Sequence, residues 1–134
     1  MSNNSYNGWA NFATWRVNLE CFDGWDIEDN WSHEEFRDEV INPNMKEACD
    51  KYDTIEERVA WFKLSMVSFM ADYMKTYPDY LLHDGSGAEE IIKGWAQAFL
   101  DDVNWREIAE THLENDALFN QAISNLSEGA TEVL

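Results

Sequence analysis

The stretch from Thr54 to Tyr77 carries the strongest conformational instruction in this chain. Thr54-Ile55-Glu56-Glu57 is a capping box: Thr54 takes an orphan N–H of the first turn, and Glu57 reaches back toward the cap. Behind it Ile55, Val59, Phe62, Met66, Phe69 and Tyr73 recur at steps of three and four, which is one face of a helix. Trp61, Val67, Met70 and Met74 widen that face, so the helix is predicted to be buried on most sides. Burial of Phe62, Met66 and Phe69 is expected, with Pro78 stopping the helix after Tyr77. Met66, Met70 and Met74 could form a pliable binding stripe, but core filling is the simpler reading.

Similar punctuation places other helices around this central one. A first helix starts after Asn11 and carries Phe12, Trp15, Leu19 and Phe22. Ser32-His33-Glu34-Glu35 is a second capping box, opening a helix that stops near Asn42-Pro43. Pro43 then begins a short helix to about Tyr52, with Asn42 as its cap. Ser86-Gly87-Ala88-Glu89 caps a helix carrying Ile91, Ile92, Trp95, Phe99 and Leu100. Asn104 to Glu107 caps another, with Ile108 and Leu113 inward, and a last helix runs from Asp116 to Leu126, before Gly129. No alternating strand run with a turn signal occurs. The predicted fold is all-α: one compact domain over residues 1–134, about six helices around a central helix, with residues 1–10 loosely ordered.

The surface of such a bundle has to carry an unusual charge. The 134 residues hold 27 Asp and Glu against 9 Lys and Arg, a formal net charge of −18. Disorder is not the explanation, because aromatic residues make up 14% and hydrophobic residues 45% of the chain, enough for a packed core. Residues 20–39 hold nine acids and only Arg37, and residues 76–134 hold twelve acids with Lys93 and Arg106. The segment between these two blocks is nearly neutral. A globule of this length has a diameter of about 36 Å. Duplex DNA displays about 21 phosphates over that length, so the charge of this chain is comparable with the duplex it would replace.

Two local patterns resemble a family. Asn11-Phe12-Ala13-Thr14-Trp15-Arg16-Val17-Asn18-Leu19 resembles the Asn-Tyr-x-Thr-Trp-x-Val-x-Leu opening of small acidic proteins of phages, plasmids and other mobile elements. The segment from Val103 to Leu113, Val-Asn-Trp-Arg-Glu-Ile-Ala-Glu-Thr-His-Leu, is similar to a Val-Asp/Asn-Trp-x-Glu-Ile-Ala-Glu segment near the end of the same proteins. Glu20 stands where that family usually has an aromatic or apolar residue. The resemblance implies a mobile-element origin and a helical fold. It also implies that Asn11, Thr14 and Trp15 begin a capped first helix, Asn11 as cap and Trp15 in packing.

Catalytic and metal chemistry find little support. His33, His83 and His112 lie far apart, with no H-E-x-x-H and no pair at helical spacing. Cys21 and Cys49 fit no C-x-x-C pattern and read as free thiols of a reducing cytoplasm. Neither Asp84-Gly85-Ser86-Gly87 nor the segment from Asp26 has the ligand pattern of a calcium loop or a phosphate cradle. Paired carboxylates such as Glu34-Glu35 and Asp101-Asp102 are expected by chance in so acidic a chain. The expectation is therefore a non-enzyme without metal or cofactor. Seven Trp without an electropositive groove speak against direct nucleic-acid binding. The absence of a run of about 18 apolar residues speaks against a membrane span, and the polar stretch Met1 to Asn11 gives no sign of a signal peptide.

The acids themselves are the remaining signal. Asp26, Glu28, Asp29, Glu34, Glu35, Asp38 and Glu39 fall within fourteen residues. Glu34 and Glu35 are favoured by the helix N-terminus they follow, whereas Asp26, Glu28 and Asp29 precede that cap and lack this local reason. A second set comprises Asp101, Asp102, Glu107, Glu110 and Glu114. The expectation is a phage or mobile-element anti-defence protein acting in the host cytoplasm. It would inhibit a nucleic-acid-binding defence protein, such as a CRISPR effector or restriction enzyme, by presenting a DNA-like acidic surface to its basic groove. The alternative is a non-enzymatic accessory protein-binding module without mimicry, which would show an exposed apolar patch instead.

Overall fold

The computed structural model of the chain describes residues 6–83 and 90–129, with side chains for all of these except 83 and 90–92. The fold is all-α, as the periodicity predicts. The helices are α1 (Phe12–Val17), α2 (His33–Glu35), α3 (Asn42–Lys51), α4 (Ile55–His83), α5 (Glu90–Asp101), α6 (Trp105–Glu114) and α7 (Ala117–Ser127). Among the described residues no strand forms; Tyr6 and Trp9 make a single antiparallel bridge. Asn7 and Gly8 turn the chain there with φ of 48° and 88°, the left-handed pair that a tight Asn-Gly turn requires. The chain gathers into two compact units. Met1–Trp25 with Met70–Ala109 form unit 1, and Asp26–Phe69 with Glu110–Leu134 form unit 2.

Most helix starts lie where the side chains place them. Asn11 caps α1 by accepting the Thr14 N–H at 2.8 Å, and Asp116 caps α7 by accepting the Phe119 N–H at 2.8 Å. Ser32 and Glu35 make both hydrogen bonds of a capping box. At Thr54 only half of the box forms, because Glu57 accepts from the Thr54 hydroxyl rather than from its backbone. The cap at Ser86 lies outside the described residues.

Three details differ from the sequence reading, each for a tertiary reason. First, α4 does not stop at Tyr77; Pro78 lies inside the helix and is buried. A proline there forfeits one backbone hydrogen bond. Burial of its ring in unit 1 outweighs that local stop, and the Thr76 hydroxyl donates to the Tyr73 carbonyl at 2.6 Å in the turn just before it. Second, Asn42 is not a cap. Helical backbone runs from α2 through a π-helical segment, Phe36–Ile41, into α3. The Asn42 N–H reaches back five residues to the Arg37 carbonyl, and the Asn44 side chain donates to the Val40 carbonyl at 2.7 Å, so the backbone passes Pro43 without breaking.

The third difference is which faces are buried. A π-turn carries one extra residue, about 100° of helical phase. The segment Asn18–Phe22 after α1 is such a turn. The buried set is therefore Ala13, Thr14, Val17 and Phe22, with a step of five at its end, while Phe12 and Leu19 are exposed. In α4 the buried row is Phe62, Met66, Met70 and Met74, so the methionines are core. Phe69 lies beside that row, 38% exposed, with its ring 6.0 Å from Trp31. In unit 2 Phe62 stacks on Phe119 at 5.8 Å, among Phe36, Ile41, Met45, Leu113 and Leu126, all fully buried.

Candidate functional site

The two segments that carry the family resemblance meet in unit 1. Thr14 is fully buried; its hydroxyl donates to Asn11 Oδ1 at 2.7 Å and accepts the Asn104 N–H at 2.8 Å. Asn11 Nδ2 donates to the Asp102 carbonyl at 2.8 Å, and the Ala10 N–H donates to Glu107 Oε1 at 2.8 Å. Asn104 Oδ1 in turn accepts the Glu107 N–H at 3.1 Å, capping α6. Phe22 packs edge-on to Trp105 at 6.3 Å, and Trp15 lies against Tyr6 at 4.9 Å. These motif residues are used to close the fold. Glu107 is half-buried and engaged in it, which sets this carboxylate apart from the other acids of its set.

The first acidic set lies wholly in unit 2, and Asp26, Glu28, Asp29, Glu34, Glu35, Asp38 and Glu39 are all exposed. Asp26 has a local role after all. It caps the short 3-10 turn Ile27–Asp29, accepting the Glu28 N–H at 3.0 Å, and Glu28 and Asp29 sit in that first turn, where acids are favoured. Glu35 is held by the Ser32 N–H at 3.2 Å. The one ion pair of this segment among the described residues joins Arg37 to Asp38 at 2.8 Å; it holds the Asp38 carboxyl below the usual carboxylate range. The second set is divided. Asp101 and Asp102 belong with Glu107 to unit 1, and Glu110 and Glu114 belong to unit 2. All of them except Glu107 are exposed, Asp101 accepting from Gln97 at 2.9 Å.

One carboxylate is raised. Burial pushes Asp116 up, with Glu28 and Asp26 adding to the shift and the Phe119 N–H opposing it. The crevice it shares with Ile27, Trp31 and Phe36 holds about 20 Å³, room for one water and no substrate. Asp116 is thus accounted for as a partly buried helix cap. Burial also lowers His112, with Asp26 pulling the other way. Among the described residues no group of three or more His, Cys, Asp or Glu could hold a metal ion, and no helix is long and apolar enough to cross a membrane. Cys21 and Cys49 are free thiols.

The sequence reading misses an apolar groove in unit 1. Phe12 of α1, Pro78 and Leu81 of α4, and Ala96 and Phe99 of α5 line an open trough of about 580 Å³, with Arg16 at its side. Phe12 and Phe99 meet edge to face at 6.3 Å. The signal was hidden twice. Pro78 reads as a helix stop, and Phe12 and Phe99 read as ordinary core positions. Comparison with known protein families, with curated proteins and with solved structures finds no match to this chain.

Proposed function

We propose that this chain is a non-catalytic inhibitor that occupies the basic, nucleic-acid-binding groove of a partner protein. The acids from Asp26 to Glu39 stand where backbone phosphates would lie. Support comes from one observation: all seven acids of that segment are solvent-exposed, and its single Arg is paired to Asp38. Such a surface is electrostatically uncompensated within its own chain. It would steer a basic partner into contact quickly, with affinity falling as salt rises. The resemblance to proteins of mobile elements makes a host defence protein, a CRISPR effector or a restriction enzyme, the target class. Occupancy is the whole mechanism; no bond is made or broken.

The test is capture of partners from host lysate at low and high salt, with nucleic acid as competitor. The triple variant Asp26→Asn, Glu28→Gln, Asp29→Asn should lose affinity and salt dependence while folding normally, since Asn caps a helical turn as well as Asp does. Neutralising Asp101, Asp102, Glu110 and Glu114 is the paired comparison. A partner that survives high salt, ignores both sets of changes and is not displaced by nucleic acid rejects mimicry.

A further inference from the structure

The apolar groove of unit 1 is not used by acidic mimicry, and its chemistry points elsewhere. Its walls are helices, whose backbone groups are already bonded within α1, α4 and α5. Among the described residues no strand edge is exposed, so an extended peptide has no ladder to join. A small ligand would need convergent polar groups to orient it. The charged residue in the lining, Arg16, is already paired to Glu20 at 2.8 Å. What remains is apolar area on Phe12, Leu81 and Phe99, each more than a third exposed. Tyr77, Tyr80 and Trp95 are exposed on the same two helices, α4 and α5. A surface of this kind is how an amphipathic helix is recognised, by its apolar row. The charge of the occupant follows from unit 1 itself, which carries ten Asp and Glu against four Lys and Arg.

We infer that this groove seats the apolar face of an amphipathic helix of a partner protein, a helix flanked by Lys and Arg. The apolar row fills the trough between α4 and α5, and the basic flanks meet the acidic surface of the unit. This site is separate in residues from the Asp26 to Glu39 segment, so the two can be broken independently.

Titration calorimetry of the full chain with three synthetic peptides tests it. One has Leu at helical spacing on one face and Lys elsewhere. One has the same composition scrambled, so that Leu no longer shares a face. One keeps the Leu face and replaces Lys by Glu. The striped Leu/Lys peptide should bind one to one, about tenfold or more tighter than the scrambled peptide and the Leu/Glu peptide. Leu81→Gln with Phe99→Gln, at exposed positions, should weaken it by about tenfold without changing the melting curve. Ala96→Phe, which fills the trough instead of stripping it, should weaken it as well. The triple variant at Asp26, Glu28 and Asp29 should leave it within about twofold. Equal binding of striped and scrambled peptides, wild-type binding by both groove variants, or a chain dimer that the groove variants dissociate would each overturn the inference.

Discussion

Thr14 Oγ1 accepts the backbone N–H of Asn104 at 2.8 Å, joining residues 90 positions apart in the chain. The contact explains why α6 needs only half a capping box. Asn104 Oδ1 takes the Glu107 N–H. The reciprocal bond, from the Asn104 N–H to Glu107, is replaced by Thr14, which frees the Glu107 carboxylate to accept the Ala10 N–H. A local motif has been opened so that both of its ends can be used across the fold.

Thr14→Val keeps the shape of this residue and removes the hydroxyl. It leaves a backbone donor without its partner in a buried place, so a loss of about 1–3 kcal/mol is expected in urea unfolding. Thr14→Ser should retain most of the stability. Equal losses for Val and Ser would mean that packing, not the hydrogen bond, holds the two segments together.

Phe62→Ala should cost about 3–5 kcal/mol, because its ring is fully buried and stacked on Phe119. Phe69→Ala should cost roughly 1–2 kcal/mol, since much of its ring is in water and only the contact with Trp31 is lost. Chemical denaturation of the two variants side by side checks the order. A Phe69 loss as large as that of Phe62 would contradict the burial pattern of α4.

Stability should bend twice as pH falls. His112 has a folded pKa below its ordinary 6.5, so the unfolded chain takes up that proton first. Its contribution is present above 6.5 and is lost as pH falls through the folded value. Asp116 has the opposite sign. Its folded pKa lies above 3.8, so its contribution is full below 3.8 and lost as pH rises through the folded value. Melting curves of His112→Gln should lack the loss that begins below 6.5. Asp116→Asn keeps the cap but removes the charge, and should raise stability at neutral pH. A lower melting temperature for Asp116→Asn at pH 7 would contradict the sign.

Salt should stabilise this protein at neutral pH. Exposed acids in such excess repel one another, and screening relieves them. The triple variant at Asp26, Glu28 and Asp29 should melt slightly higher than the parent at low ionic strength, with the gap closing as salt is added. A parent melting temperature that falls with added NaCl would show that attractive pairs dominate instead.

Chelation should leave the melt unchanged, because the described residues offer no cluster of three metal-ligating side chains. A fall of several degrees in EDTA, restored by one ion, would reveal a ligand that stabilises the folded state by mass action.

Sequence alone determined the elements whose causes are local. Asn11, Ser32, Asp116 and the stripe from Phe62 to Met74 announce their helices because a cap or an apolar face acts within a few residues of itself. The acidic segment from Asp26 to Glu39 was legible for the same reason, since charge density along a chain needs no fold to be read. Tertiary structure decided what local rules cannot. It carried α4 through Pro78 by burying the proline, turned Phe12 and Leu19 outward around a π-turn, and committed Glu107 to Ala10. It also assembled the groove from Phe12, Pro78 and Phe99. Each of these outcomes balances a local preference of about 1–3 kcal/mol against burial supplied by distant residues, and that distant term is absent from any window of sequence.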